Sequence, residues 1–364
     1  MKQSNRVNDW FAPGGANLGN PDDKKVGTAM KKYGFVASGG GYRSFYTEGA
    51  LVWLRQNGVP VSHIASTSSG NNIALDYLLW DQEKEELPPV LTRTMRLSVG
   101  DIFHVFKNFL GLRPSLIPNG SHLFTVDKDS CRSSLTLDQP ARQEILSKNL
   151  AAVGWDIFAT NLTKREGRAF RINDILSEIN PSTLDRFMDV FLAGITTIPY
   201  FKAIEIDGDF YLEGGYMDNT PLRTMFEDPE VDEIIAVDFT DYDYHGALRK
   251  LYATQVFTLP LNSIDMYLLV SDIQLSLPNV KIFTEANRIN RLLEEVGKTS
   301  LELDGKTYYH KPVHVLSPKN LESMTISLKD STIQKKYFEL GKNDMAELSA
   351  AGLTQSIDAV RASS

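Results

Sequence analysis

The sequence has one cysteine, no long apolar run and no excess of basic residues, and each absence excludes a class of protein. Cys131 alone allows neither an internal disulfide nor a cysteine-rich metal site. The longest stretch without Asp, Glu, Lys or Arg, residues 56–75, contains Pro60 and many polar residues, so no membrane-spanning helix is predicted. Residues 1–32 are polar and lack the apolar core of a Sec signal peptide, and we expect a flexible lead-in there.

The charge balance argues against a further class, the nucleic-acid-binding proteins. Lys and Arg number 38 against 46 Asp and Glu, which gives a net charge of −8. Binding to nucleic acid requires a basic surface instead. The 364 residues are 42% hydrophobic and 23% charged, which is typical of a globular protein. We expect a cytoplasmic protein, at most peripheral at membranes, and the sequence leaves open an export route that needs no Sec signal.

Short apolar runs alternate with helical patterns, as in parallel α/β proteins. A run at 33–37 precedes a glycine-rich turn and a helix pattern at 45–56, and a run at 59–65 precedes a serine-rich turn and a second helix pattern. We expect one α/β domain over residues 33–350, with a mainly parallel sheet, helices on both faces and a tail at 351–364. Later strands are predicted at 155–160, 169–172, 201–206, 210–212, 233–239 and 313–316, with an Asp207-Gly208 hairpin turn, and later helices at 184–193, 287–296 and 333–348.

Residues 83–130 interrupt this alternation, because they contain no convincing strand. Within them, residues 99–112 place Ile102 and Phe106 on one helical face and polar side chains on the other. Two interpretations stay open for this segment. It is either a helix packed against the core, or a lid or lipid-facing helix beside an active site.

The serine-rich turn at residues 66–70 has the sequence Ser-Thr-Ser-Ser-Gly and lies between a predicted strand and a predicted helix. A nucleophile elbow of the pattern G-x-S-x-G occupies such a turn, because the sharp bend exposes the serine hydroxyl above the sheet. Ser68 is then the candidate nucleophile, Gly70 matches the second glycine and Ser66 replaces the first. The alternative is an ordinary serine-rich loop that caps the helix.

The glycine-rich turn at residues 38–44 has the sequence Ser-Gly-Gly-Gly-Tyr-Arg-Ser and follows the first predicted strand. Consecutive glycines let several backbone N–H groups point into one concavity at a helix N-terminus, which suits an oxyanion or a phosphate. The turn lacks the Gly-Lys-Ser/Thr of a Walker A loop, and Ser44 stands where a dinucleotide fingerprint requires its third glycine. By itself, the turn leaves the ligand open.

A third motif, Glu213-Gly214-Gly215, follows an apolar strand pattern. A carboxylate at the end of a strand can point back into a cleft and act as a general base. The alternative is a turn after a hairpin strand, with a surface glutamate.

The order and spacing of the three motifs resemble those of the patatin-like phospholipase family, and the wording of residues 38–43 resembles the related cytosolic phospholipase A2 group. The likeness extends over residues 33–348 and includes Pro199 and the Asn219-x-Pro221 sequence. It implies a three-layer α/β/α fold with a mainly parallel central sheet and a helical, lid-like insertion at 83–130. The site is expected at the carboxyl ends of the strands.

The resemblance also implies a lipid acyl hydrolase that cleaves carboxylic esters through a Ser–acid dyad, without a metal or a cofactor. Ser68 corresponds to the nucleophile that forms an acyl-enzyme, and Glu213 stands at the position of the family's aspartate base. The implied substrate is a phospholipid or lysophospholipid reached by transient contact with a membrane surface, and protein partners, including any activator, stay open. The residues implied around the dyad are Gly39, Gly40, Gly41 and Arg43 for the oxyanion hole, Ser66 and Gly70 for the elbow, and Gly214 and Gly215 for the acid loop.

Three residues depart from the family pattern: Glu213 replaces aspartate, and Ser66 and Ser44 replace glycines. The extra methylene of Glu213 would displace its carboxylate by about 1 Å unless the loop moves back, and such a displacement costs on the order of 10²-fold in rate. This departure supports an alternative function, a catalytically weakened family member that binds lipid or a partner. Asp218 is not expected to replace the base, because the family carries an acidic or amide residue there.

Histidine chemistry is the main rival interpretation. A Ser-His-Asp triad would use one of the histidines after Ser68, which we interpret instead as structural or surface residues: His104, His122, His245, His310 and His314. The interpretation of His310 and His314 as a metal site has even less support, because a strand would hold the two side chains too far apart without further ligands. A dinucleotide-binding protein is a distant third function.

Overall fold

The computed structural model describes residues 31–89, 127–197, 201–240, 279, 281–303, 305–318 and 332–353, and the backbone of 113–114 and 124–125. The predicted lead-in at 1–32, most of the predicted insertion at 83–130 with its amphipathic segment at 99–112, and most of the tail at 351–364 lie outside these residues. Among the described helices, none combines the length and the apolar character that crossing a membrane requires.

The described strands form one large sheet and two small ladders. The strands are β1 (Tyr33–Ala37), β2 (Val61–Ser66), β3 (Arg113–Pro114), β4 (Phe124–Thr125), β5 (Gly154–Asn161), β6 (Glu166–Arg171), β7 (Ile204–Ile206), β8 (Asp209–Glu213), β9 (Glu233–Val237), β10 (Ser300–Leu303), β11 (Lys306–Tyr309) and β12 (Val313–Leu316). The central sheet has the order β12-β9-β1-β2-β5-β8-β7, and β6 pairs with β5. From β12 to β5 all neighbours are parallel, while β6, β7 and β8 are added in antiparallel orientation. The expected mainly parallel sheet is confirmed.

Helices cover both faces of this sheet. They are α1 (Ser44–Gln56), α2 (Ser69–Leu79), α3 (Lys128–Ser134), α4 (Pro140–Ala152), α5 (Ile172–Ile175), α6 (Pro181–Ile195), α7 (Arg223–Glu227), α8 (residues 281–295) and α9 (Thr332–Ala350). Their ends follow local sequence rules. At α6, for example, Asn180 caps the first turn, its side chain accepts the Thr183 N–H, and Pro181 occupies the first helical position.

The core has two halves because successive strand residues face opposite sides of the sheet. On β1, Phe35 belongs to the larger half with α1, α2 and α6, while Val36 belongs to the half formed with α7 and α8. On β9, Ile235 and Ala236 divide in the same way. This arrangement is the expected three-layer α/β/α fold.

One edge of β5 carries two strands. Residues 154–157 of β5 pair with β2 in parallel, and residues 159–161 pair with β8 in antiparallel orientation. The other edge of β5 is covered by β6. Since β2 and β8 therefore run toward each other along the same edge, their carboxyl ends meet beside Phe158. This meeting point positions the candidate site.

The sequence-based expectations differ from the structure in a few elements. The predicted strand at 201–206 is shorter and begins at Ile204. α3 and α4 were not expected, because α3 buries only Cys131 and α4 only Leu146 and Leu150, so the apolar periodicity is weak. Within 83–130 the structure adds the two-residue ladder of β3 and β4. The hairpin turn at Asp207-Gly208 is confirmed, with φ of 54° and 82°.

Candidate active site

Ser68 and Glu213 lie at the carboxyl ends of the two strands that share one edge of β5. Ser68 follows β2 and precedes α2, and Glu213 is the last residue of β8. The Ser68 hydroxyl donates a hydrogen bond over 2.7 Å to Oε2 of Glu213, although the two residues are 145 positions apart in the chain. The extra methylene of Glu213 thus leaves its carboxylate in contact with the candidate nucleophile.

The turn at Ser68 has the strained geometry of a nucleophile elbow. Ser68 has φ 51° and ψ −131°, a backbone conformation that residues other than glycine seldom adopt. Its N–H donates to the Gly194 carbonyl over 2.9 Å, and its carbonyl accepts the Asn71 N–H over 3.0 Å. A Cβ atom on Gly70 would lie 2.0 Å from the Ala37 carbonyl oxygen, so glycine is required for α2 to approach β1 this closely.

Ser66, which replaces the first glycine of the elbow pattern, is buried and bonded to β5. Its hydroxyl accepts the Trp155 indole N–H over 2.8 Å and donates to the Asp156 carbonyl over 3.3 Å. The serine therefore ties the end of β2 to its neighbour, which a glycine could not do.

The Glu213 carboxylate is buried and accepts hydrogen bonds from Ser68 and Thr197. Thr197 Oγ1 in turn lies 2.6 Å from the Tyr216 hydroxyl, and the Glu213 N–H donates to the Thr196 carbonyl over 2.8 Å. Burial raises the pKa of Glu213 above its ordinary value, and the hydrogen bonds from Ser68 and Thr197 offset part of that rise. A carboxylate with a raised pKa is the better proton acceptor.

Gly214 and Gly215 are buried in a 3-10 turn that follows Glu213 directly. A Cβ atom on Gly214 would lie 2.4 Å from Thr67 Oγ1 and 2.5 Å from the Phe158 carbonyl oxygen. Glycine at this position therefore lets the acid loop pack against the serine-rich turn.

The glycine-rich turn lies against Ser68. A Cβ atom on Gly39 would lie 2.7 Å from the Ser68 Cβ. The Gly39 N–H donates to the Asn219 carbonyl over 3.3 Å, and the Asn219 side-chain amide donates back to the Gly39 carbonyl over 3.0 Å. This reciprocal pair joins the glycine-rich turn to the segment after the acid loop.

The remaining amides of the glycine-rich turn differ in their acceptors. The Gly40 N–H donates to Ser69 Oγ over 3.0 Å, and the Arg43 N–H donates to the Gly40 carbonyl over 3.1 Å. Gly41 adopts a φ of 57°, and among the described residues its N–H has no acceptor. Arg43 is half-buried and directly precedes α1.

Asp218 lies close to the acid loop but makes other contacts. Its N–H donates to the Gly214 carbonyl and its carboxylate accepts the Thr220 N–H, both over 2.9 Å. Burial raises the pKa of Asp218 to about 7. No hydrogen bond among the described residues joins this carboxylate to Ser68, whereas the Glu213 carboxylate does accept the Ser68 hydroxyl.

The described histidines are paired with carboxylates away from Ser68. These pairs are His63 with Asp156 and Asp228, His310 with Glu294, and His314 with Glu233. His104, His122 and His245 lie outside the described residues. In the described part of the chain, no cluster of three side chains suited to hold a metal ion is present.

Three residues with contacts at the site were not singled out by the sequence motifs: Ser69, Thr197 and Tyr216. Ser69 lies inside the serine-rich turn, and Tyr216 directly follows the Glu213-Gly214-Gly215 motif. The high serine content of residues 66–70 is the one sequence signal for Ser69. Thr197 follows α6, and only the tertiary fold brings it to Glu213.

A protein-family model described as Patatin-like phospholipase matches residues 35–226, which is more than half of the chain and includes the serine, glycine and acid motifs. The chain belongs to this family. Membership supports a lipid hydrolase function in the broad sense and agrees with the α/β fold. No curated protein is significantly similar to the sequence.

Two solved structures have a weaker likeness to this patatin-like chain. VipD from Legionella pneumophila is 12% identical, with a TM-score of 0.38 over 88% of this chain and 66% of VipD. The complex of SpcU with ExoU, from the type III secretion system of Pseudomonas aeruginosa, contains a match at 12% identity and a TM-score of 0.23, over 85% of this chain and 70% of the matched one. The patatin-like chain thus spans about two thirds of VipD, and neither likeness is strong enough to bear on function.

Proposed function

We propose that this patatin-like protein hydrolyses carboxylic esters of phospholipids or lysophospholipids through a dyad of Ser68 and Glu213. The observation that supports this function most directly is the 2.7 Å hydrogen bond from the Ser68 hydroxyl to the Glu213 carboxylate. The strained elbow at Ser68 and the raised pKa of Glu213 support it further. The proposed catalytic domain is residues 33–350.

In the proposed reaction, Ser68 Oγ attacks the ester carbonyl carbon while its proton passes to Oε2 of Glu213. The tetrahedral intermediate collapses, and the departing alcohol takes the proton back from Glu213. Water then attacks the acyl-enzyme and gives its proton to Glu213; the bond between Ser68 Oγ and the acyl carbon breaks, Ser68 Oγ takes the proton back, and the fatty acid leaves. The substrate would be reached by transient contact with a membrane surface, and neither a metal nor a cofactor takes part in a step.

The oxyanion that forms in this reaction requires backbone donors beside Ser68. The glycine-rich turn supplies amides there, and the Gly41 N–H is the one that the described contacts leave open. Each donor of this kind contributes about 10²–10³-fold in rate. The N-terminus of α1, which Arg43 precedes, adds positive potential on the same side.

A second function, binding of lipid or a partner with little turnover, is favoured by one observation. Glu213 occupies the position of the family's aspartate. The contact between Ser68 and Glu213 argues for turnover, because the backbone around Glu213 already suits the longer side chain.

Release of fatty acid from mixed phospholipid micelles tests both functions. We expect the wild type to be active, and Ser68→Ala and Glu213→Ala to lose at least about 10³-fold. Glu213→Asp withdraws the carboxylate by about 1 Å and should lose on the order of 10²-fold. Glu205→Ala, at an exposed glutamate on β7, is the matched control and should leave the rate unchanged.

Two results would contradict the proposed dyad. Full activity of Ser68→Ala would show that another residue is the nucleophile. An inactive wild type, with activity gained only in Glu213→Asp, would favour the second function, binding with little turnover. The protein would then have kept the fold and lost the catalytic geometry.

A further inference from the structure

Two serines that the proposed reaction does not use join the glycine-rich turn to the nucleophile turn. Ser69 follows Ser68 and begins α2, and Ser44 begins α1. Ser69 Oγ accepts the Gly40 N–H over 3.0 Å and lies 2.5 Å from Ser44 Oγ. We call this chain of contacts, from Ser44 through Ser69 to the Gly40 amide, the serine bridge.

The serine bridge uses a residue that departs from the family pattern. Ser44 stands in place of a glycine, and its side chain is buried. A hydroxyl has one proton to donate, so one of the two serines donates to the other, while the Gly40 N–H can only donate to Ser69. With glycine at position 44, Ser69 would lose its hydroxyl partner on α1.

We propose that Ser44 and Ser69 are positioning residues that fix the glycine-rich turn over Ser68, with the Gly40 amide as the anchor. This role rests on the proposed function, because it serves oxyanion stabilisation. While the Gly40 N–H donates to Ser69, it cannot donate to an oxyanion. Gly40 then holds the turn, and the neighbouring Gly41 amide is the donor.

The other contacts of Gly40 do not tie it to α2, since its carbonyl accepts the Arg43 N–H within the same turn. A Cβ atom on Gly40 would lie 2.6 Å from the Phe239 ring, which limits movement of the turn in one direction. The reciprocal bonds with Asn219 hold Gly39, the residue before Gly40. The hydroxyl of Ser69 ties the turn to α2, the helix that directly follows Ser68.

Loss of the anchor should affect kcat far more than KM. The oxyanion exists only in the transition state and in the intermediate, so a displaced donor weakens their binding and leaves substrate binding nearly unchanged. A displacement of about 1 Å costs up to about 10²-fold. If Gly40 were instead an oxyanion donor with which Ser69 competes, removing the Ser69 hydroxyl would raise kcat.

The kinetic test compares Ser69→Ala, Ser44→Ala, their combination and Ser69→Thr on a soluble short-chain ester. We expect kcat to fall about ten- to hundredfold in Ser69→Ala and less in Ser44→Ala, with KM within about twofold. The double variant should be no slower than Ser69→Ala, because both residues act through one bridge. Ser69→Thr should retain most of the rate, and Ser62→Ala, whose hydroxyl bonds only weakly to the Tyr33 carbonyl, is the matched control.

The affinity for an alkyl trifluoromethyl ketone, which forms an oxyanion on the nucleophile, should fall in parallel with kcat. An unchanged or raised kcat in folded Ser69→Ala would overturn the proposal. Full activity of Ser68→Ala would instead contradict the dyad, so the two failures are distinguishable.

Hydrogen exchange of the Gly40 amide tests the anchor without any turnover. We expect its exchange to quicken at least about tenfold in Ser69→Ala, to quicken less in Ser44→Ala and to stay slow in Ser69→Thr. Unchanged exchange in both alanine variants would overturn the serine bridge. Thermal melts of all variants identify any that fail to fold, and Ser44→Ala and Ser69→Thr then carry the comparison.

Discussion

The hydrogen bond from Thr197 to Glu213 leads to a prediction about the pH dependence of the reaction. Thr197→Val keeps the shape of the side chain and removes one donor to the Glu213 carboxylate. A hydrogen bond to the charged form lowers the pKa of a carboxyl group, so its loss raises the pKa of Glu213 further. Glu213 accepts a proton only when it is ionised, and the acid limb of the pH–rate profile should therefore move to higher pH.

The expected shift follows from the strength of the lost bond. A hydrogen bond to a charged group contributes about 1.5–3 kcal/mol, and one pKa unit corresponds to about 1.4 kcal/mol. Loss of the bond destabilises the ionised carboxylate by energy of this order, so the acid limb of Thr197→Val should move to higher pH. The variant should be much slower than the wild type on the acid side, and the difference should shrink as the pH rises and both carboxylates ionise.

The assay is kcat/KM for a soluble short-chain ester as a function of pH, because this profile reports the pKa of the free enzyme. Thr197→Ser keeps the hydroxyl and should keep the wild-type limb, and Tyr216→Phe, which removes the partner of Thr197, should shift it less. Thr307→Val makes the same chemical change at an exposed residue of β11 and is the control. An equal loss at every pH in folded Thr197→Val would refute the reasoning, because a purely structural defect would not follow ionisation of the base.

Two further predictions concern stability. His63 is buried between Asp156 and Asp228, and although burial lowers its pKa, hydrogen bonds to the two carboxylates raise it by more. The stabilisation by the charged imidazole is therefore complete below about pH 6.5 and is lost as the pH rises through the folded-state pKa. His63→Gln should lower the free energy of unfolding by about 3 kcal/mol at pH 6 and by less at pH 9; a deficit independent of pH in urea melts would speak against this. At Gly341 a Cβ atom would lie 1.9 Å from a carbonyl oxygen of α1, so Gly341→Ala should cost about 3 kcal/mol or more in the same melts. Glu339→Ala, on the exposed side of α9, is its control, and equal unfolding midpoints for the two variants would refute the close crossing of α1 and α9.

The strands that carry the site could be predicted because their sequence signals are local. β1 and β2 are short apolar runs that end at glycine- and serine-rich turns, and both lie close to their expected positions. α3 and α4 were missed because a helix that buries one or two side chains has no clear apolar face.

The candidate residues of the site could be predicted, but their contacts could not. Ser68 and Glu213 came from motif patterns, whereas the fit of a glutamate at position 213 depends on how β8 pairs with β5. Thr197 contacts Glu213, and Ser44 contacts Ser69. Each contact joins two separate segments of the chain, so no spacing rule in the sequence marks it.

β2 and β8 pair with different parts of one edge of β5, so the proposed activity and the stability of the parallel strands depend on different contacts. Glu213 is carried by the hairpin of β7 and β8, whose strand pairing with the sheet runs along residues 159–161 of β5, at one margin, and is extended by the bond from the Leu162 N–H to the Phe210 carbonyl. The parallel strands with Ser68 and the glycine-rich turn have partners of their own. A local opening of the hairpin would take the Glu213 carboxylate away from Ser68 while the parallel strands stayed paired. Inactivation on warming should therefore precede global unfolding, and the protein should regain its base simply by closing one hairpin on cooling.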